Sequence, residues 1–93
     1  MNIIFDITIQ NTENNKRFGF YRKEFESNIV PIPGVSIEDS CWSGNPKIPT
    51  NITISYDENY CLVNFDSIDK ENEDYCKKME DYMLENGWKK PGK

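Results

Sequence analysis

Residues 2–10, Asn-Ile-Ile-Phe-Asp-Ile-Thr-Ile-Gln, place isoleucine or phenylalanine at every second position from residue 3 to residue 9. Alternate side chains of an extended chain point to opposite faces, so this stretch predicts a strand with one buried face. The asparagine-rich residues 11–15 that follow suit a hairpin loop. The residues expected on the buried face are Ile3, Phe5, Ile7 and Ile9.

Residues 16–26 continue as a second strand, but their apolar alternation changes phase between Phe20 and Tyr21. A β-bulge near Tyr21 or Arg22 would bring the apolar side chains back to one face. Gly19 indicates a close approach of other atoms to the backbone of this strand. We therefore expect an antiparallel hairpin with one irregular strand.

The stretch from Ser27 to Thr50 breaks the regular pattern with four prolines and two glycines. A structureless loop of that length is unusual in a small domain. We expect a short strand at residues 35–38 and an irregular surface excursion over residues 39–49. Strand-like alternation resumes in residues 52–56 and 60–65, which a short turn separates.

The last element is predicted to be an amphipathic helix over about residues 68–86. Acidic residues in its first turn would complement the helix dipole. Gly87 suits the left-handed position that ends a helix, and Trp88 is expected to fold back onto Met83 or Tyr82. The apolar stripe consists of Ile68, Tyr75, Cys76, Met79, Tyr82 and Met83.

Together these elements predict an α+β fold, an antiparallel β-meander of four to five strands with one C-terminal amphipathic helix packed on a face. A chain of 93 residues supports one hydrophobic core. We therefore expect residues 1–88 to form a single domain and residues 89–93 to form a flexible C-terminal tail.

Composition narrows the range of functions. The chain has no histidine, and its 16 acidic and 11 basic residues give a net charge of −5. Histidine is the commonest general base and metal ligand, so we expect no catalysis, no metal and no cofactor. An acidic surface is unsuited to the nucleic-acid backbone, and no stretch approaches the roughly 20 apolar residues that cross a bilayer. We expect no direct binding to nucleic acid or membrane.

Cys41, Cys61 and Cys76 fit neither a disulfide framework nor a metal knuckle, because they are odd in number and widely spaced. The N-terminal residues also lack the basic segment of a signal peptide. Both observations predict reduced thiols in a cytoplasmic protein. A nucleophilic role for Cys41 would need an activating group that the sequence does not identify.

Acidic residues are densest from Asp57 to Asp74, where seven acids and one lysine give a local charge of −6. Such a surface can dock on a basic protein surface and steer association, or it can serve solubility alone. A divalent-cation site is a further alternative, but the acids lack the order of a calcium-binding loop. The carboxylates in question are Asp66, Asp69, Glu71, Glu73 and Asp74.

Four more residues extend this candidate binding surface. Trp42, in the irregular segment, either plugs an edge of the core or anchors a partner. Glu80, Asp81 and Leu84 are expected on the outer face of the helix. The full set of candidate partner-binding residues is Asp66, Asp69, Glu71, Glu73, Asp74, Glu80, Asp81, Leu84 and Trp42.

These features predict a small acidic, non-catalytic protein-binding module, an inhibitor that occludes a partner protein with a basic surface. Phage counter-defence proteins, anti-CRISPR-like inhibitors and toxin-immunity proteins act in this way. The alternative is a small-molecule or nucleotide-binding domain that uses carboxylates and tyrosines, with Tyr21, Tyr56, Tyr60 or Tyr75 lining its pocket. Homo-oligomer formation through an uncovered sheet edge or face would be an addition to the first hypothesis.

Overall fold

The computed structural model describes residues 1–42 and 44–92 and has principal extents of 40 × 30 × 22 Å. The segment between the second and third strands contains a 3₁₀ turn at Ser40–Trp42. The elements in chain order are β1 (Asn2–Asn11), β2 (Lys16–Glu26), β3 (Asn51–Ser55), β4 (Tyr60–Asn64), β5 (Ile68–Lys70) and α1 (Glu73–Glu85).

β1 is the central strand of a mixed sheet with the order β2-β1-β4-β3. β2 pairs with β1 in antiparallel orientation, and β3 pairs with β4 in the same way. On its other edge β1 pairs in parallel, first with β4 and then with β5. The α+β fold with one C-terminal helix is confirmed, but the parallel pairing corrects the predicted antiparallel meander.

The parallel pairing follows from the long connection between β2 and β3, which we call the crossover segment (residues 27–50). β2 and β3 lie on opposite edges of the sheet, so the chain crosses from one edge to the other before the β3–β4 hairpin returns beside β1. On the way, Val30, Ile37 and Trp42 pack against the core. The short strand expected at residues 35–38 is reduced to one bridge between Ile37 and Lys47.

The core lies on the face of the sheet that α1 and the crossover segment cover. Two tryptophans close it, with the ring centre of Trp88 lying 6.3 Å from that of Phe5 and 5.7 Å from that of Trp42. Trp42 also packs edge-on against Phe65 at 5.3 Å. Each such ring removes a large apolar area from water. The predicted alternation of β1 is confirmed by the burial of Ile3, Phe5, Ile7 and Ile9.

α1 begins at Glu73, five residues later than predicted. The Asn72 side chain caps it by accepting a hydrogen bond of 3.0 Å from the N–H of Tyr75. The predicted first turn instead forms β5, in which Ile68 lies beside Ile9 of β1 and extends the core. The cap therefore fixes the start of the helix, and the preceding residues complete the sheet.

The end of α1 matches the prediction. Gly87 has a φ of +91°, and the N–H of Trp88 donates to the Met83 carbonyl at 3.1 Å. Lys89 then exchanges two backbone hydrogen bonds of 2.8 Å with Arg22, at the outer edge of β2. The first residue of the segment expected to be a flexible tail is thus bound to the sheet. Lys93 lies outside the described residues.

The irregularity of β2 lies at Phe18, not near Tyr21 or Arg22 as predicted, because the register with β1 shifts by one residue there. From Gly19 onward, alternate residues face the core, and Tyr21 is fully buried. The Tyr21 ring folds over Gly19. A Cβ atom at Gly19 would overlap the Tyr21 hydroxyl and lie 2.7 Å from the ring carbon Cζ. The close approach predicted at Gly19 is confirmed.

The substitution Gly19→Ala should lower the free energy of unfolding by about 2–3 kcal/mol, because the added Cβ displaces the Tyr21 ring from its buried site. Urea unfolding followed by tryptophan fluorescence measures this loss. The same substitution should cost less in a Tyr21→Phe background, where the overlapping hydroxyl is gone. An equal cost in both backgrounds would contradict the packing of the Tyr21 ring on Gly19.

Candidate functional site

Five of the predicted partner-binding carboxylates are exposed near β5 and the first turn of α1, and we call this group the acidic end. Within the described residues, none of them takes part in an ion pair. Hydrated, unpaired carboxylates are suited to steering a basic molecule at long range. The acidic end comprises Asp66, Asp69, Glu71, Glu73 and Asp74.

The outer face of α1 is less acidic than the sequence suggests. Asp81 is exposed, but the Lys77 ammonium lies 3.2 Å from its carboxylate. Lys78 is exposed on the same helix, with its ammonium 5.6 Å from the centre of the Tyr75 ring. Leu84 is 42% exposed, as predicted for an outer residue. This face therefore carries balanced charge around one exposed leucine.

Glu80 and Trp42 do not lie on the surface. Glu80 is 4% exposed, which corrects its expected place on the outer helix face. Glu80 lies one turn of α1 after Cys76, and its side chain points inward on the same face of the helix. There, ammonium groups and a phenol contact its carboxylate. Trp42 is 7% exposed, and its indole N–H donates to the Ile37 carbonyl at 3.0 Å. Trp42 therefore plugs the core, which was one of the two roles predicted for it.

Glu80 is the centre of a buried polar network. The Tyr21 hydroxyl donates to its carboxylate at 2.5 Å, and the ammonium groups of Lys90 and Lys77 lie at 2.8 and 3.2 Å. Burial alone would raise the pKa of Glu80, but hydrogen bonds from Lys90, Tyr21 and Lys77 outweigh burial and lower it to about 2. Burial and the bond to Glu80 raise the pKa of Tyr21. Both shifts favour the ionised carboxylate of Glu80 and the neutral phenol of Tyr21 near neutral pH.

A second carboxylate, that of Asp39, has a side chain that is 6% exposed and connects three parts of the chain. It accepts hydrogen bonds from the Lys23 ammonium at 2.7 Å, the Cys41 N–H at 3.0 Å and the Trp88 indole at 3.3 Å. Burial opposes the charge of Asp39, but these donors outweigh it and lower its pKa. Asp39 therefore fastens the crossover segment to β2 and to the residues after α1.

The Cys41 thiol lies beside this carboxylate and is partly buried. Burial, together with the negative charge of Asp39, raises the pKa of Cys41 to about 11. The reactive form of cysteine is the thiolate, which is scarce at neutral pH when the pKa is so high. The environment of Cys41 therefore lacks the activation that a nucleophilic role needs.

The tyrosines of the small-molecule hypothesis do not share one pocket. Tyr21 is buried under α1, Tyr56 is 82% exposed in the β3–β4 turn, and Tyr60 lies in β4. Tyr75 and Tyr82, both about half exposed, line an open cavity of about 530 Å³ beside α1. Its other lining residues are Asp69, Lys70, Glu71, Lys78 and Met79.

The surface with the most exposed apolar side chains was not identified from the sequence. Ile29, Ile32 and Val35 in the crossover segment are 82%, 64% and 53% exposed, and Phe25 in β2 is 39% exposed. We call these four residues, together with a groove that Phe25 and Ile29 line, the apolar end. The groove has a volume of about 400 Å³ and is lined by Ile3, Phe5, Phe25, Ile29, Pro31 and Ile37, among others.

A signal for the apolar end is present in the sequence. Residues 29–35, Ile-Val-Pro-Ile-Pro-Gly-Val, contain four β-branched apolar residues. Two prolines interrupt the run, so it can neither join the middle of a sheet nor form a helix that would bury all four. Such a run must leave some of these side chains in water.

Comparison of the chain with protein-family models, with curated proteins and with solved structures finds no match. In the described part of the chain, no helix combines the length and apolarity needed to cross a membrane. Across the same residues, no three Cys, Asp or Glu side chains are grouped so that they could hold a metal ion.

The substitution Glu80→Gln should lower the free energy of unfolding by about 2 kcal/mol at pH 7, allowing for the partial hydration of Lys77 and Lys90. Glu80 has a pKa near 2 in the folded protein and an ordinary value of 4.5. Because the folded state binds the proton less readily, the stabilisation is complete above about pH 4.5 and is lost as the pH falls towards 2.

Urea unfolding at several pH values tests this prediction, since the difference between wild type and Glu80→Gln should shrink between pH 4.5 and 2. Asp81→Asn is the matched control. Its carboxylate also contacts Lys77 but is 56% exposed, so its loss should change stability by less than about 0.5 kcal/mol. A difference for Glu80→Gln that stays constant with pH would mean that the carboxylate is not held by these donors.

Proposed function

We propose that this protein is a non-catalytic binding module that occludes a partner protein by covering it with the apolar end. The observation that carries this proposal is the exposure of Ile29, Ile32 and Val35 in a chain that is only 37% hydrophobic. A contiguous group of exposed apolar side chains on a soluble protein is typical of an interaction site.

The apolar end is held in place from both sides, which favours binding. Before it, the N–H of Ser27 donates to the Met1 carbonyl at 3.1 Å; after it, Ile37 and Lys47 exchange backbone hydrogen bonds of 2.7 and 2.9 Å. The prolines restrict the backbone between these points. A segment that is already ordered loses less conformational entropy when a partner binds.

Charge around the apolar end indicates the chemistry of the partner. Glu38 lines the groove, while Glu24 and Glu26 flank Phe25 in sequence but point to the opposite face of β2, where Glu26 pairs with the N-terminal ammonium at 3.1 Å. The acidic end adds further negative charge about 30 Å away along β1. A partner with basic residues around an apolar side chain would be attracted from a distance and could insert that side chain into the groove.

Occlusion needs a stable surface and no turnover. The carboxylates of Glu80 and Asp39 stabilise the fold by ion pairs and hydrogen bonds, and their lowered pKa values keep them ionised at neutral pH. This chemistry suits the inhibitors predicted from the sequence, counter-defence inhibitors of phages or toxin-immunity proteins, which act by masking a working surface. We place the protein in the cytoplasm with its partner, with a slight preference for the counter-defence role.

The test compares partner capture from the native host by the wild-type chain, by Ile32→Glu and by Leu84→Glu. Both replaced side chains are exposed, so both variants should fold. The captured protein is purified and titrated with each variant by calorimetry. Ile32→Glu should weaken binding by at least about tenfold, because it places a charge in the apolar contact. Leu84→Glu, on the outer face of α1, should bind within about twofold of wild type. Equal binding by Ile32→Glu and wild type would contradict the proposal.

A second candidate function, binding of a small polar ligand such as a nucleotide, is favoured by the cavity beside α1. Its volume of about 530 Å³ falls within the range of small-molecule sites. Its lining combines two phenols, two ammonium groups and two carboxylates, which belong to Tyr75, Tyr82, Lys70, Lys78, Asp69 and Glu71. Phenols can stack on or hydrogen-bond a base, and ammonium groups can bind phosphate.

A thermal-shift screen against nucleotides, sugars and metal ions separates the two candidates. A ligand at about 100 to 1,000 times its dissociation constant should stabilise the fold by roughly 3–4 kcal/mol. For a ligand in the cavity beside α1, Tyr75→Ala should abolish this response and Ile32→Glu should retain it. If no compound of the panel stabilises the protein, the small-ligand function is rejected and the protein-binding function stands.

A further inference from the structure

The outer edge of β3 lacks the features that usually keep an edge strand from pairing. β3 is the last strand of the sheet order, so one side of it presents backbone N–H and C=O groups without a neighbouring strand. Its sequence, Asn-Ile-Thr-Ile-Ser over residues 51–55, contains no charged residue and no proline. Natural edge strands are commonly blunted by such residues.

The opposite edge of the sheet, formed by β2, is protected in two ways. Six of its eleven residues are charged, and Lys89 forms two backbone hydrogen bonds with Arg22 at that edge. β3 has neither feature along its five residues. The contrast marks the outer edge of β3 as the place where another strand can add to the sheet.

The core face of β3 is also incompletely covered. α1 packs mainly over β1, β2 and β5. Ile52 and Ile54 lie opposite Val63 and Cys61 of β4, but Ile54 remains 37% exposed. A strand added at this edge would therefore complete the backbone hydrogen bonding and cover an apolar side chain.

We infer that the added strand is β3 of a second copy of this chain, paired antiparallel about a two-fold axis at Thr53. In this register Ile52 lies beside Ile54 of the second copy, and Asn51 lies beside Ser55. The strand is uncharged, so no like charges meet, and each Ile54 gains an isoleucine neighbour on the same face. The two sheets join into one continuous sheet through an isologous contact.

The size of the contact sets the strength of the dimer. A pair of five-residue strands buries less than the roughly 1,200 Å² of a stable interface, so we expect a dimer that forms reversibly at high protein concentration. The net charge of −5 on each copy opposes association, and salt should strengthen the dimer by screening that repulsion. This proposal does not rest on the apolar end and is tested separately from it.

Sedimentation equilibrium at increasing concentration is the first measurement. The mean mass of the wild type should rise from 10.9 kDa towards twice that value. Thr53→Glu and Thr53→Lys should each remain monomeric, because two like charges would meet at the two-fold axis. An equimolar mixture of these two variants should dimerise again, since glutamate then faces lysine. Circular dichroism confirms that each variant, altered at an exposed position, is folded.

The matched controls are Thr12→Glu and Thr12→Lys, which change an exposed threonine in the loop between β1 and β2. Both should associate like the wild type. The proposal is overturned by a constant wild-type mass of one chain up to about 1 mM, or by Thr53 variants that dimerise alone as the wild type does. A mixture of the Thr53 variants that stays monomeric would also overturn it, because the two-fold axis would not pass through Thr53.

Discussion

The parallel pairing of β1 with β4 is the constraint on which the rest of the structure depends. β1 uses both of its edges, one for the β1–β2 hairpin and the other for β4 and β5. Since β4 runs in the same direction as β1, the chain has to reach the far edge of the sheet before β3 begins, and the crossover segment spans that distance. In crossing, it places Ile37 and Trp42 against the core and leaves Ile29 and Ile32 in water.

The carboxylates of Asp39 and Glu80, whose side chains are almost inaccessible to solvent, hold the layers together. Asp39 joins the crossover segment to β2 and to Trp88, and Glu80 joins α1 to β2 through Tyr21 and to Lys90. A buried charge is costly unless several donors surround it, and each of these carboxylates has at least three. These polar contacts supplement a core built from a chain of low hydrophobic content. These contacts hold the crossover segment in a fixed position on the sheet, and its exposed residues are held with it.

The local sequence pattern predicted the helix and the strands better than it predicted how the strands pair. The period of two in β1, the close approach at Gly19 and the turn at Gly87 were predicted because each depends on a few neighbouring residues. The direction in which β4 pairs with β1 depends on the path of the chain between β2 and β3, which no local period reports. The length of residues 27–50, which is unusual for a connection in a small domain, is the signal of a crossover that the sequence contains. The position of Ile68 fits the apolar stripe of a helix and the alternation of a strand equally well. The capping residue Asn72 decides between them, because the helix begins after it and Ile68 is left in a strand.

The candidate site was predictable only in part. Exposure of the acidic end and of Leu84 followed from helical and charge patterns, whereas the burial of Glu80 depends on Tyr21 and Lys90, which are distant in sequence.

The central claim is that the crossover segment is a fixed platform that presents apolar side chains to a partner. Native-state hydrogen exchange of the free protein, read residue by residue by NMR, tests this claim most directly. The amides of Ile37 and Lys47 should exchange slowly, like those of β1, while the amide of Ile32 exchanges fast. Fast exchange throughout residues 27–50 beside a protected β1 would contradict the claim.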